Sequence, residues 1–473
     1  MRGVAKPKVP LRVVQTPRQS LPDFASPWAA AQQFVLTHYT SDDEIRLIHF
    51  WQGQFFVWLD GAYHELSLAD LRELLYIFGN ELAAAGGKEP KKKLVDDVLD
   101  ALRALSNLSD RLEPPSWIQP GEVGNHVLRE IAGSVIPLRN GLLCTNTRTF
   151  YPANPRFFTL YALCFDYDGN VPAPARWIAF LSDLFGDDGA SIELLRQWFG
   201  YCLLGRTDQQ KALLLIGPAR GGKGTIARIL QALLGRSNTC SPTLSSLGTQ
   251  FGLQPLIGKL LAIISDARLG GRADIHSVAE NILRVTGEDQ VSIPRKFLPD
   301  YTATLQARIM VLSNEAPRFS DASAALIRRF LVLQLNRSFL GKEDIGLTDA
   351  LLAELPGIFL WALDGLDSLN ESGRFSQPEA AADLIEDMVG MASPVRVFLD
   401  DCCELDSAAE IPCRRLFEAW QDWCGQSGRQ HAGNLQVFGR DLRTVLPSLR
   451  TVNRRDMAGG RERVYTGIRL ESR

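Results

Sequence analysis

Residues 47–66 read LIHFWQGQFFVWLDGAYHEL, with apolar and polar positions alternating about Asp60-Gly61. That period predicts a β-hairpin turning at the Asp-Gly pair. From Ser67 the period lengthens: SLADLRELLYIFGNELAAAGG brings apolar residues back every three to four positions, predicting an amphipathic helix capped by Ser67 and stopped by Gly86-Gly87. A basic loop at 88–93 leads into a second helix, LVDDVLDALRALSNL, with Pro114-Pro115 and Gly121 punctuating its exit. A turn-rich passage covers 135–152, and helices are expected over 176–185 and 192–204. Apolar strands follow at 212–216, in KLLAIISDAR and in RIMVLSNEAP. After these, LTDALLAELPGIFLWALDGLDSL predicts a helical lid. A polar stretch at 370–379 and one more helix end at Ser393-Pro394. Beyond them, PCRRLFEAWQDWCGQSG and NLQVFGRDLRTVLPSL predict two helices, and RTVNRRDMAGGRERVYTGIRL a β-hairpin around Gly459-Gly460.

The chain divides on this pattern into a disordered basic leader (1–27), an α+β N-terminal domain (28–190), a nucleotide-binding module (191–392) and a C-terminal unit (393–473). A length of 473 residues suits several cores rather than one. No apolar run reaches the ~18 residues of a membrane span, and the leader lacks the apolar stretch of a secretory signal. Eight scattered cysteines without a CxxC pair point to reduced thiols and a cytoplasmic protein. Cys413, Cys424 and His431 are conceivable zinc ligands, but Cys413 and Cys424 share one amphipathic helix, which favours packing. The net charge of −3 announces no nucleic-acid binder. Charge is nevertheless uneven: from 440 to 473 nine arginines face four acids, a surface suited to nucleic acid or simply to solvent.

KALLLIGPARGGKGTIARILQALLG carries the strongest chemical signal. A buried strand runs into Gly217, Pro218, Ala219, Arg220, Gly221, Gly222, Lys223, Gly224 and Thr225, a GxxxxGK loop opening a helix. Glycines let backbone N–H groups curl around a phosphate chain, Lys223 reaches the β- and γ-phosphates, and the helix N-terminus favours the anion. Glycine stands where a Ser/Thr normally follows the lysine, so Thr225 is the candidate Mg²⁺ ligand. The second apolar run ends in Asp266, 43 residues after Lys223, where a carboxylate can hold Mg²⁺ or its water. Only one acid stands there, leaving Glu280 and Glu288 as candidates for activating water. The third run ends in Asn314, whose amide can bridge the attacking water and the γ-phosphate. In DASAALIRRFLVLQL, Arg329, with Arg328 second, suits the arginine that reaches a neighbouring subunit's γ-phosphate, or a solvated pair. Between the second and third strands, 291–293 and 301–305 can pair, leaving Arg295 and Lys296 near a loop tip where cations meet solvent or a nucleic-acid backbone.

Taken in series, GPARGGKGT, IISDAR, VTGEDQVSIPRK, LSNEAP and IRRF resemble superfamily 3 DNA helicases, specifically the helicase portion of phage/plasmid primase–helicases similar to the poxvirus primase–helicase. WIAFLSDLFGDD upstream resembles that family's helicase-preceding domain, and SPVRVFLDD through YTGIRL its C-terminal winged helix. The resemblance covers most of the chain from about residue 30. It implies an AAA+-like P-loop core, ATP and Mg²⁺ as cofactors, a homo-hexameric ring on single-stranded and forked DNA, and 3′-to-5′ translocation. It assigns Lys296 to the strand-holding hairpin tip, Asn314 to the sensor and Arg329 to the finger. No cysteine occurs in residues 1–143, which excludes a zinc-binding primase module, so a separate primase is a candidate partner.

Arg454, Arg455, Arg461 and Arg463 on the C-terminal hairpin suit duplex DNA, with protein docking the competing reading. Two other functions stay open: an ATP-dependent initiator or loader that assembles on DNA without processive unwinding, and a nucleotide kinase sharing the GKGT ending.

Overall fold

The alternating stretch folds as a meander of three strands, β1 (Ile48–Trp51), β2 (Gln54–Leu59) and β3 (Ala62–Leu66). Its second turn is the expected Asp60-Gly61, and its first is Gln52-Gly53. Both pairs hold positive φ (48° and 85°, 49° and 78°), the mirror-image turn that matches strand twist. In this computed structural model, residues 24, 26–118, 132–265, 275–296, 298–317, 325–428, 432–455 and 460–471 are described. Helices α1 (Pro27–His38), α2 (Leu68–Ala84) and α3 (Lys92–Ser106) pack on the meander around Phe34, Leu75, Phe78 and Val98. Ser67 caps α2 by accepting from the Asp70 amide. Phe24 is wholly buried in the same core, so the folded unit begins inside the expected 1–27 leader, anchored by an aromatic ring; residues 1–23 lie outside the described ones.

A small antiparallel sheet, β4 (Val135–Leu138), β5 (Gly141–Cys144) and β6 (Phe150–Pro152), precedes helices α4 (Ala175–Phe185) and α5 (Gly189–Cys202). The central sheet is built from β7 (Ala212–Ile216), β8 (Thr239–Cys240) and β9 (Leu261–Ile264), with β12 (Arg308–Ser313) and β13 (Phe330–Gln334) following the hairpin β10 (Gln290–Arg295) and β11 (Leu298–Thr304). Its order is β8-β9-β12-β7-β13, every pair parallel. Side chains alternate between two cores, as a doubly covered sheet requires. Leu213, Leu215, Ile263 and Met310 face α5 and α6 (Lys223–Leu234). Leu214, Ile264, Ile309 and Val311 face α7 (Ile275–Thr286) and the hairpin's Val291 and Ile293.

The first of these cores runs from Ile136 to Phe375, so the expected break at 190/191 passes through it. The anticipated lid is two helices. The short α9 (Leu347–Leu352), which follows α8 (Ala325–Arg329), borders the cavity beside the glycine loop, whereas α10 (Leu355–Ser372) is buried against α5. That crossing is backbone on backbone: a Cβ at Gly200 would lie 2.3 Å from the Ala362 carbonyl oxygen, and one at Gly365 2.2 Å from that of Arg196. Glycine there sets the helix spacing, and no hinged cover results.

Packing changes hands at Ser393. Met388 and Ala392 of α11 (Ala382–Ala392) belong to the sheet's core, whereas Phe398 of α12 (Pro394–Cys402) joins Leu416, Trp420 and Phe438 in a separate one. This tail unit adds α13 (Cys413–Gln426), α14 (Leu435–Val445) and a sheet of β14 (Glu410–Pro412), β16 (Arg461–Thr466) and β15 (Arg450–Arg455) in that spatial order. Cys413 and Cys424 are buried on α13, in keeping with packing; His431 lies outside the described residues. Among the described residues, no helix is long and apolar enough to cross a membrane.

Candidate nucleotide-binding site

Strand β7 delivers the chain to Gly217, where a side chain would meet the Leu335 carbonyl at 2.4 Å, so only glycine lets the loop pass β13's exit. The loop then curls through Arg220 (φ 58°) to Gly222 (φ 89°), the residue before α6. Its outer edge is pinned by the segment following β13: Ser338 donates to the Ala219 carbonyl (2.9 Å), the Phe339 amide to that of Arg220 (3.1 Å), and Arg220 itself pairs with Glu343 at 3.5 Å. Lys223 leans back into the loop, its ammonium donating to the carbonyls of Gly217 (2.5 Å) and Pro218 (2.8 Å) and to Asn314 Oδ1 (3.0 Å). Burial holds that ammonium below the usual lysine range. A phosphate oxygen entering the loop would supply the negative partner these neutral acceptors replace.

Asn314 reaches Lys223 because β12 lies beside β7 and ends level with it, the Gly217 amide donating to the Ser313 carbonyl at 3.2 Å. A buried arginine holds this strand in place. Arg308 donates to the carbonyls of Tyr201 (2.8 Å) and Gln306 (3.0 Å) and lies over the Tyr201 ring. The cavity beside the loop has a volume of about 670 Å³ and takes in Gly221 through Thr225 and Arg228 on one side. Opposite stand Arg176, Phe180 and Asp183 of α4, with Phe339 and Lys342. Sequence reasoning missed Arg176, Phe180 and Asp183 because α4 joins the site only through tertiary packing.

The Thr225 hydroxyl accepts from Arg228 Nη2 at 3.2 Å. Asp266 lies outside the described residues; β9 ends two positions before it, beside β12. Among the described residues no cluster of three metal-ligating side chains occurs. Glu288 is remote from the loop. It accepts from Thr207 (3.1 Å) near the start of β7, at the opposite end of the sheet. Glu280 is exposed on α7.

Arg328 and Arg329 also occupy that far end. Lys211 donates to the Arg328 carbonyl (2.7 Å), and Arg329 Nη1 to Gln210 Oε1 (2.5 Å). Burial, then the nearby Arg329, pushes the Lys211 ammonium down. Since β13 pairs with β7 in register from Phe330↔Ala212 to Gln334↔Ile216, the strand separates Arg329 from its own loop by roughly 15 Å at ~3.3 Å per residue.

The hairpin expected between the second and third strands is present, pairing Gln290 with Thr304 through Ile293 with Tyr301. Lys296 is exposed at its tip. Arg295 turns inward: it donates to the carbonyls of Pro299 (2.8 Å) and Gln52 (3.0 Å), and its guanidinium lies 5.4 Å from the Tyr301 ring centre. On the tail hairpin, Arg455 stands opposite Arg461 and Asn453 opposite Arg463, which puts three exposed arginines on one face. Like charges directly across a ladder cost stability. Arg454 points to the other face and forks onto Glu410. Gly459 lies outside the described residues, whereas Gly460 immediately precedes the return strand.

Residues 215–329 match the model of a family of unknown function, DUF5906. Among solved structures, the fold is similar to that of the NrS-1 C-terminal region. An apo structure of its residues 305–718 aligns with a TM-score of 0.54 at 14% identity, covering 94% of this chain and 99% of that one. An A-form apo structure of the same region gives 0.52 at the same identity and coverage. At that identity the likeness is one of fold.

Proposed function

We propose that this chain is an ATP-driven, ring-forming helicase that translocates on single-stranded DNA during replication of a phage, plasmid or integrated element. The observation that carries the reading is the separation of Lys223 and Arg329 at opposite ends of paired strands. An arginine so placed cannot serve its own phosphate site, but in a head-to-tail ring it serves the next one. The strand order, with the loop strand between β12 and β13, supports an AAA+-like motor, and the fold shared with the NrS-1 region supports a helicase-like replication protein.

In this mechanism Lys223 exchanges its carbonyl partners for β- and γ-phosphate oxygens, and Asn314 reads the γ-phosphate through the attacking water. Arg329 of the preceding subunit neutralises charge that develops in the transition state. Mg²⁺, held by Thr225 and Asp266, would supply further neutralisation during hydrolysis. Lys296 at the hairpin tip would hold a backbone phosphate of the strand, and Arg455, Arg461 and Arg463 would engage the duplex ahead of a fork. A homo-hexamer and a separate primase complete the proposal.

The test is ATP hydrolysis with and without single-stranded DNA for the wild type, Lys223→Ala and Lys296→Ala. DNA should raise the wild-type rate, Lys223→Ala should abolish turnover, and Lys296→Ala should keep only the basal rate. Turnover indifferent to DNA and to Lys296→Ala would instead favour a nucleotide kinase or an assembly switch. The arginine face of the tail hairpin also suits an initiator or loader that grips duplex DNA; strand displacement on a forked substrate separates that reading from a helicase.

A further inference from the structure

We propose that Arg228 replaces, with a guanidinium, the hydroxyl that ordinarily follows the loop lysine, so that nucleotide binds this site with little help from Mg²⁺. The inference rests on the nucleotide-binding reading above. In an ordinary phosphate loop the residue after the lysine carries a hydroxyl that ligates the metal. Here it is Gly224, and a Cβ built on it would meet, apart from the local helix backbone, Arg228 Nη1 at 3.6 Å. The guanidinium therefore lies over the face from which the missing hydroxyl would project.

Helix geometry explains how it arrives there. Residues four apart share a face, and helical side chains lean toward the N-terminus, so Arg228 reaches back along α6 over Gly224. Its other terminal nitrogen donates to the nearest hydroxyl, Thr225, at 3.2 Å. Among the described residues no carboxylate pairs with Arg228, and it lines the cavity that Lys223 and the loop glycines also line. A planar, permanently charged fork at a helix N-terminus matches phosphate geometry well. Mg²⁺, by contrast, demands near-octahedral oxygen ligands. A hydroxyl already accepting from a cation, with that cation alongside, keeps one lone pair for the metal, so Thr225 would hold Mg²⁺ more weakly than a free hydroxyl does. Arg228 thus takes over in binding part of the neutralisation that the metal normally supplies, while hydrolysis keeps its need for the metal.

Titration of a fluorescent ATP analogue, in Mg²⁺ and in EDTA, tests this. The wild-type Kd should differ by less than about threefold between the two conditions. Arg228→Met should weaken binding in EDTA by about tenfold or more, the loss expected for a charge-assisted hydrogen bond, while binding in Mg²⁺ falls less. Arg228→Lys should recover part of the EDTA affinity. Gly224→Ser added to Arg228→Met should restore affinity in Mg²⁺ only, since its Cβ meets no backbone beyond the local helix. A wild type that loses nucleotide in EDTA, or an Arg228→Met protein indistinguishable from wild type in both conditions, overturns the inference and leaves the site's nucleotide binding standing. A wild type that binds in neither condition overturns both.

Discussion

Two inactive variants should revive each other if the finger works between subunits. Lys223→Ala removes the loop cation and Arg329→Ala the finger, and the in-register pairing of β13 with β7 keeps the two groups roughly 15 Å apart within one chain at ~3.3 Å per residue. In GTPases a finger arginine contributes ~10³–10⁵ in rate, so Arg329→Ala should lose about a thousandfold in ATP turnover. Nucleotide affinity should be retained, because the arginine is far from its own loop. The substitution also removes the hydrogen bonds to Gln210 Oε1 (2.5 Å) and the Gln210 carbonyl (3.3 Å), costing about 1 kcal/mol each; thermal unfolding should record a modest decrease. With equal amounts of the two variants assembled at random, half the sites hold Lys223 and half of those meet a neighbour's Arg329. About a quarter of the wild-type phosphate-release rate should return. A mixture no faster than the mean of its components, from proteins that co-assemble, would refute the arrangement between subunits.

Gly200→Ala should destabilise the protein by about 3 kcal/mol or more, because the added carbon meets the Ala362 carbonyl oxygen at 2.3 Å and the Leu366 amide at 2.5 Å; thermal melting reads this directly. Burial, reinforced by Arg46, pushes the His49 imidazole down to about 4, whereas the unfolded chain protonates near about 6.5. The unfolded state takes the proton first as pH falls, so the contribution to stability present above ~6.5 is lost progressively toward ~4. Urea midpoints across that window should fall for the wild type and fall less steeply for His49→Gln. Arg455→Ala and Arg461→Ala should each weaken duplex binding without sequence preference and lower the salt dependence of log K by about one, in a binding titration at several salt concentrations; a tail that docks protein would leave duplex affinity unchanged.

Local chemistry was legible where neighbouring residues decide the outcome. Asp60-Gly61, the Ser67 cap, the glycine loop and the α13 stripe all follow from spacing along the chain. The Gln52-Gly53 turn escaped notice because glutamine is an unusual occupant of positive φ (49°). Helix α10 invited the lid reading because a run of apolar residues announces burial but not its partner. That partner, α5, is declared only by Gly200 and Gly365, glycines whose meaning appears once two distant segments meet. The same holds for Arg176 and Phe180: nothing in local spacing says that α4 will close the cavity beside the glycine loop. Arg295, expected to face DNA beside Lys296, has donors occupied by the Pro299 and Gln52 carbonyls.

The Gln52 contact makes the first meander turn a tether. Through Arg295, the hairpin bearing Lys296 is tied at 3.0 Å to a backbone oxygen of the N-terminal unit, with Pro299 packed beside Gly53. Any travel of the hairpin beyond hydrogen-bond length must therefore either drag that turn along or break the bond. In the first case the N-terminal unit moves with the hairpin; in the second the hairpin parts from it at the cost of one charge-assisted hydrogen bond.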